Sequence, residues 1–430
     1  MTAKTTMRYG DPEAMFEQAA GLFALCQGRN STMNRLVGKM PSGTTDAAST
    51  MKAQTNNLYM PIIQAKDLGQ GRGDEVKFHF IQPANAFPIM GDELAEGKGT
   101  GMKIGSDRLR VDQARFPIDM GSVMSQIRSP YDLRKLGRPR AKSFMDGYLD
   151  QSMLVQLAGA RGYHYNMEWM LPLTSHPKFA DMMVNRVKAP TKNRHFVADG
   201  GAITGVQVNA DDLVITTADV LDVDVVDAIG THMDQIELPP PPVKFDGDEA
   251  AEDSPIRVLL CSPAQYNSFA KQEKFRSWQA AALARASNAK QHPIFKVDAG
   301  LWSNILIIKM PKPIRFYAGD EIRYCASYDS EIESVAKVPA SFAGTHAVDR
   351  ALLLGGQALA QAFAASEHSG REFFWSEAEM DHGNRLELLI GAILGNSKIR
   401  FGVETTNGLE FTDHGVVAID TAVPIVKPRG

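Results

Sequence analysis

The densest grouping of chemically able side chains is Trp375-Ser376-Glu377-Ala378-Glu379-Met380-Asp381-His382. Carboxylates and an imidazole this close together suggest a metal site, since oxygen and nitrogen donors are what hard and borderline cations take. The same residues also suit a polar turn between two strands, its carboxylates capping the turn or pairing with a neighbouring subunit. That plainer reading carries more weight, because the sequence places no second ligand group beside them. Lys98, in a Gly-rich stretch, could be joined covalently to a neighbour, but an ordinary solvated lysine is the simpler reading.

Motifs that would make the chain an enzyme fail on spacing. Gly97-Lys98-Gly99-Thr100 lacks a hydroxyl residue directly after the lysine and has no strand–loop–helix context, so it does not cradle phosphate. Gly69-x-Gly71-x-Gly73 is not the dinucleotide spacing, and neither a GxSxG elbow nor an HExxH helix occurs. Arg72-Gly73-Asp74 reads as a tight turn into a strand. Asn30-x-Thr32 is a glycosylation sequon by pattern alone.

The elements around these residues are organised by residues 69–120. Val76, Phe78 and Phe80 alternate with Lys77 and His79, and Leu109 and Val111 alternate with Arg108, Arg110 and Asp112. Such period-two patterning predicts two strand arms. Between them Gly91, Gly97, Gly99, Gly101 and Gly105 lie among charges and cannot build a core. An isolated two-stranded ribbon is marginal in water, so this hairpin is expected to find its missing surface on another subunit. Ser129-Pro130-x-Asp132 is a helix start, and the helix is expected to continue to about Ala158, roughly 43 Å at 1.5 Å per residue, with a bend at Pro139.

Upstream, residues 1–68 read as an extended arm with one helical patch, Pro12–Gln27. Downstream, Gly159–Gly205 is irregular, with Tyr163, Tyr165 and Trp169 suited either to a core or to a surface. Ala218–Leu238 is expected to be a helix that Pro239–Pro242 stops. Ile256–Cys261 reads as a buried strand, and Ser262-Pro263-x-Gln265 as a capping box opening a helix that passes Tyr266, Phe269, Phe275, Trp278 and Ala282. Asn304–Lys309 is a second strand. In the last third, Gly395-Asn396 between apolar runs signals a hairpin turn, and Gly415–Val426 a final strand.

The whole chain has 430 residues, which exceeds the ~250–300 at which single cores tend to divide. Its 46 basic and 50 acidic residues give a net charge of −4, which argues against a dedicated nucleic-acid binder. Cys26, Cys261 and Cys325 are too scattered for a disulfide framework or a zinc site, and fit a reducing compartment. The N-terminus has no apolar signal core, and no run of about 18 apolar residues predicts a membrane span.

Several blocks together resemble a known family. GRGDEVKFHF with its polar loop, MSQIRSPYDLR with its long helix, LLCSPAQYNSF, and HPIFKVDAGLWSNILIIK after Trp278 occur in the order seen in major capsid proteins of tailed phages. The resemblance is to the HK97-like fold, in the family typified by N4-like podoviruses. Its most specific positions are Leu353, Leu354, Gly355, Gln357, Ala358, Glu379, Asp381, Gly383, Asn384, Gly395, Lys398 and Phe401. The Glu379–Asp381 spacing is one residue shorter than the family pattern, His382 replaces a common aromatic, and His292 stands where Asn is common.

The resemblance implies an α+β fold with an N-terminal arm (1–68), an extended β-hairpin loop (69–120), and a peripheral domain (121–218) with a spine helix at 129–160. A mainly axial domain (219–345) and a C-terminal return to the β-rich peripheral domain (346–430) would follow. It implies a shell of hexamers and pentamers around double-stranded DNA, assembled in the bacterial host cytoplasm and located in the virion capsid. Partners would be further copies of the chain, a portal protein, and scaffolding and decoration proteins, with no cofactor and no membrane. Gly91, Asp92, Glu93, Lys98, Arg108, Arg110, Arg128, Asp132, Arg134, Glu377, Glu379 and Asp381 are the candidate inter-subunit contacts. An encapsulin-like compartment on the same fold is the alternative, and an enzyme the third reading.

Overall fold

The structure is a computed structural model, and it describes residues 33, 36, 59–65, 75–81, 104–128, 133–164, 169–236, 238–245, 255–271, 300–310, 312–364, 373–382, 384–405 and 408–425. The helix expected at Pro12–Gln27 and the continuation past Ala270 through Trp278 lie outside these residues.

Among the described residues the longest helix runs Leu133–Ala158 and passes through Pro139. Ala141, Met145, Tyr148, Leu149 and Ser152 fall at helical spacing and are buried, and every residue from Gln151 to Ala158 is buried. This half of the helix is therefore enclosed on all sides, which is why its sequence there loses the alternation of a surface helix. The helix stops at Gly159, whose φ of +65° and whose packing leave no room for a side chain: a Cβ there would stand 2.5 Å from the Lys188 carbonyl oxygen.

Against this helix lies a sheet organised on the long strand Arg385–Lys398. Along one of its edges, Leu359–Ala364 and Phe373–Met380 follow one another almost in line: Ala364 pairs with Ile393 and Phe373 with Ala392. Asp112–Ser122 runs along the other edge. Ile62–Ala65 adds in parallel outside Leu359–Ala364. The hairpin expected at Gly395-Asn396 does not form. Both residues sit within the strand, paired with Ala362 and Gln361. The glycine serves close approach instead: a Cβ on it would lie 1.9 Å from the Arg110 carbonyl oxygen.

The second, eight-stranded sheet has the order Gly300–Trp302, Ile305–Lys309, Arg257–Cys261, His346–Leu354, Val416–Pro424, His195–Asp199, Ala202–Gly205, with Ile314–Phe316 also on His346–Leu354. Its apolar strands are buried on both faces, as their unbroken hydrophobic runs require. Helices Val223–Gln235 and Pro263–Ala270 cover one face through Val226, Ile229, Met233, Tyr266 and Phe269. The first of these starts later than its periodicity suggests. Asp222 is the N-cap, accepting from the Val225 N–H at 2.8 Å, while Asp219 is occupied upstream in a turn with Thr216. The second opens with the expected capping box between Ser262 and Gln265. The stretch read as irregular, Gly159–Gly205, supplies the strands His195–Asp199 and Ala202–Gly205, whose alternation is too short to register in sequence.

Two small sheets complete the body. Glu321–Cys325, Glu333–Lys337, Asp212–Leu213 and Val208–Asn209 form one, and Arg400–Thr405 with Gly408–Asp413 the other. Glu75–Ile81 and Ile104–Arg110 pair with each other over seven residues, as the alternation predicts. The return arm, expected as one strand, is divided at Val111: its first part belongs to this ribbon and its second part to the body.

Candidate functional site

The root of the ribbon is where an extended element meets the folded body, and it is built by four contacts. Leu109 is wholly buried among Ile63, Ala360, Ala362, Ile399, Phe401 and Val403. Asn185 holds the backbone of Arg110 from both sides: its Oδ1 accepts the Arg110 N–H at 2.9 Å and its Nδ2 donates to the Arg110 carbonyl at 2.8 Å. The Asp107 carboxylate receives Lys188 Nζ at 3.0 Å and the Arg400 backbone N–H at 3.1 Å. Gly395 lets the Arg110 backbone lie directly on the sheet. One apolar side chain of the ribbon, Leu109, is thus seated on the chain's own body, on the side that the sheet covers.

Beneath this root sits a charged core. Asp413 takes Lys398 Nζ at 2.7 Å and Arg400 Nε at 2.8 Å, all three almost without exposure. Arg400 also reaches the Ala189 carbonyl and Glu331. Burial pushes the Asp413 carboxyl up, but Arg400 and Lys398 outweigh it and hold it at about 2. Burial brings the Lys398 ammonium down to about 8 despite Asp413. A second group joins the strands of the large sheet: Arg350 and His195 both meet Asp420, and Arg350 also donates to the Ala158 carbonyl at the end of the long helix. A third links Arg315 and Ser262 to Asp349. Such buried ions contribute little net stability over apolar residues of the same shape, but losing one partner is costly, so they favour one arrangement of the strands they join.

The expected contact residues are distributed over several places. Gly91, Asp92, Glu93, Lys98 and Asp132 lie outside the described residues. Arg108 is exposed on the ribbon and pairs loosely with Glu75 at 3.8 Å. Arg110 also has an exposed side chain, with its backbone clamped as above. Arg128 ends the short helix Val123–Arg128, exposed, and Arg134 lies in the long helix. Glu377 is half-buried and Glu379 exposed on the strand Phe373–Met380. Asp381 and His382 form the turn after it at φ of 55° and 51°, and the Asp381 carboxylate accepts from Asn384 Nδ2 at 3.0 Å. Among the described residues no three His, Cys, Asp or Glu side chains are grouped to hold a metal ion. Tyr163 and Trp169 line a cavity of about 550 Å³, where Arg161 stacks on the Trp169 ring.

The sequence reading passed over Asn185, Lys188 and, apart from Lys398, the buried ions. A signal for the ions exists: Asp349-Arg350 interrupts HAVDRALLL, and Asp420 stands alone in GVVAIDTAV. A lone charge within an apolar strand must find a partner when buried. Nothing in the sequence marks Asn185.

Residues 6–425 match the family model described as phage capsid protein. The chain belongs to the phage capsid protein family. It is a major capsid protein of the head shell, a structural protein and not an enzyme, and the encapsulin-like compartment is not favoured. No curated protein matches it. Among solved structures it is similar to the capsid of Ralstonia phage GP4, with a TM-score of 0.67 and 22% identity over 99% of this chain and 100% of that one. It is also similar to the capsid of cyanophage Pam1, with a TM-score of 0.56 and 13% identity over 90% and 96% of the two chains. For the capsid of Helicobacter pylori bacteriophage KHP30 the TM-score is 0.53, at 12% identity over 99% and 95%. At these identities the likeness is one of fold, and the mixed α+β class with large sheets and few helices is that of this capsid protein.

Proposed function

We propose that this capsid protein assembles with further copies of itself, as hexamers and pentamers, into an icosahedral HK97-like head that encloses double-stranded DNA. The ribbon Glu75–Ile81/Ile104–Arg110, the part of residues 69–120 that stands off the body's sheet, lies over a neighbouring subunit and locks the shell. The observation that carries this reading is the ribbon Glu75–Ile81/Ile104–Arg110. Its root is fixed to the body through Leu109, Asp107 and Arg110, yet its two strands pair with each other and with no third strand among the described residues. An arm held rigidly at one end can deliver apolar surface to a neighbour at ~25 cal/mol per Å² before ordering costs.

The net charge of −4 suits a wall that encloses DNA without binding it in sequence-specific fashion. A portal protein, scaffolding and decoration proteins are the further partners in this reading, and the host cytoplasm the place of assembly. The test is deletion of residues 91–105, followed by sizing-column light scattering and negative-stain imaging. Soluble capsomer-sized protein without stable shells is expected. Intact shells of normal stability would overturn the lock.

A further inference from the structure

Among the described residues, the strand Glu333–Lys337 is paired on one side only along most of its length. Glu321–Cys325 covers all five residues on its inner edge, whereas on its outer edge, among the described residues, Lys337 alone has a strand partner, Asp212. The Lys337 N–H donates outward, to the Asp211 carbonyl at 2.8 Å. Backbone groups in an antiparallel pair alternate in direction, so Val335, two residues away, also points its N–H and C=O outward, where no described strand meets them. An open edge of this kind is a template for a further strand.

The side chains at this edge are apolar and in solvent. Ile332 is 77% exposed and Val335 45%. They line a cavity of about 610 Å³ together with Arg186, Arg323, Glu331 and Glu333. These four charges are already matched within the chain: Glu333 pairs with Arg186 and Arg323, each at 3.1 Å, and Glu331 with Arg400 at 3.3 Å. The surface therefore offers backbone hydrogen bonds and apolar contact without a net charge, which suits polypeptide and disfavours DNA.

Its position supplies the occupant. Arg186 follows Asn185, which grips Arg110, and Arg400 joins Glu331 to the core below Asp107. The open edge is thus continuous with the root from which the ribbon leaves toward a neighbour.

We propose that the outer edge of Glu333–Lys337, with Ile332 and Val335, is a docking surface for an extended segment of a second copy of this chain, by strand addition. This rests on the shell reading above. Both substituted positions are exposed, so Ile332→Asp with Val335→Asp is expected to leave the subunit folded, with an unchanged circular dichroism spectrum.

The double variant and Leu173→Asp, an exposed apolar control elsewhere, are compared with the unaltered protein for circular dichroism and for particle yield. A parallel measurement follows maleimide labelling of Ile332→Cys, read at that residue by mass spectrometry, in particles and in dissociated subunits. The expected result is at least a tenfold drop in particle yield for the double variant alone, and at least tenfold slower labelling in particles. Full yield from the double variant, equal loss in the control, or equal labelling in both states overturns the docking surface and leaves the shell reading standing. An unaltered chain that forms no particles even when expressed together with its scaffolding protein overturns the assembly proposed above, and the docking surface with it.

Discussion

Arg350 grips Asp420 with two nitrogens, Nε on Oδ1 at 2.7 Å and Nη2 on Oδ2 at 2.8 Å, and solvent reaches neither side chain. The two residues face each other directly across paired strands. The third guanidinium nitrogen donates to the Ala158 carbonyl at 2.9 Å, at the C-terminal end of the long helix. One side chain therefore fixes the register of two central strands and the place where the helix ends.

Removing it should leave the Asp420 charge buried without compensation. Arg350→Met is expected to lower the unfolding free energy by about 3–5 kcal/mol, read from guanidinium denaturation of the subunit. Arg350→Met with Asp420→Leu should recover most of that loss, because the pair as a whole contributes little against a well-packed apolar one. A double variant as unstable as the single one would show that the charges themselves are needed.

Acid should weaken the subunit over two separate ranges. Burial, with Arg350 beside His195 and Arg194 beside His414, keeps both imidazoles neutral below their usual range, His414 down to about 4. The unfolded chain then takes up protons first, so stability falls as pH drops from 6.5 toward 4. Asp413, held at about 2, contributes stability that is complete above the ordinary carboxyl value of 3.8 and is lost as pH falls from there toward 2. Asp420 acts in the same direction, its burial outweighed by Arg350 and His195. Denaturant midpoints measured from pH 7 to 2 should show both declines, and His414→Gln should reduce the upper one, leaving the His195 part and the lower decline in place. Constant stability between pH 6.5 and 4 would contradict the neutral histidines.

At the ribbon root, Asn185→Ala removes both hydrogen bonds to the Arg110 backbone. Two such bonds contribute about 1–3 kcal/mol together. Because Leu109 remains buried, the body should stay folded and the loss should be local. Amide exchange at Arg110 is expected to rise at least tenfold, with exchange in the large sheet unchanged. Uniformly faster exchange across the molecule would mean that Asn185 supports the whole fold.

How far the sequence discloses this design depends on range. The capping box at Ser262 and Gln265 is readable because four consecutive residues contain the whole interaction. The ribbon arms are readable because alternation survives over five residues on each side, 76–80 and 108–112. The clamp at Asn185 joins residues 75 positions apart, and the Arg350–Asp420 pair residues 70 apart. Neither spacing has a local signature. Gly395-Asn396 shows the opposite failure. The dipeptide has good turn chemistry, but its pairing with Ala362 and Gln361, within a strand that Asp112–Ser122 also flanks up to Leu394, overrides it.

That override makes Gly395 the sharpest single test of how ribbon and sheet are joined. A Cβ at this position would stand 1.9 Å from the Arg110 oxygen and 3.2 Å from the Val111 Cα, both backbone atoms that cannot swing aside as a side chain would. Gly395→Ala must therefore lift residues 110–111 off the strand, against the hold of Asn185 and the burial of Leu109. Overpacking of this kind costs about 1–3 kcal/mol. The strain should appear as faster proteolysis near Arg110 and as a drop in particle yield. Gly402→Ala is the comparison, because there the nearest atoms, 3.3 Å away or more, belong to the side chains of Leu409 and Phe411. If the two variants behave alike, close backbone approach at Gly395 is not what seats the ribbon.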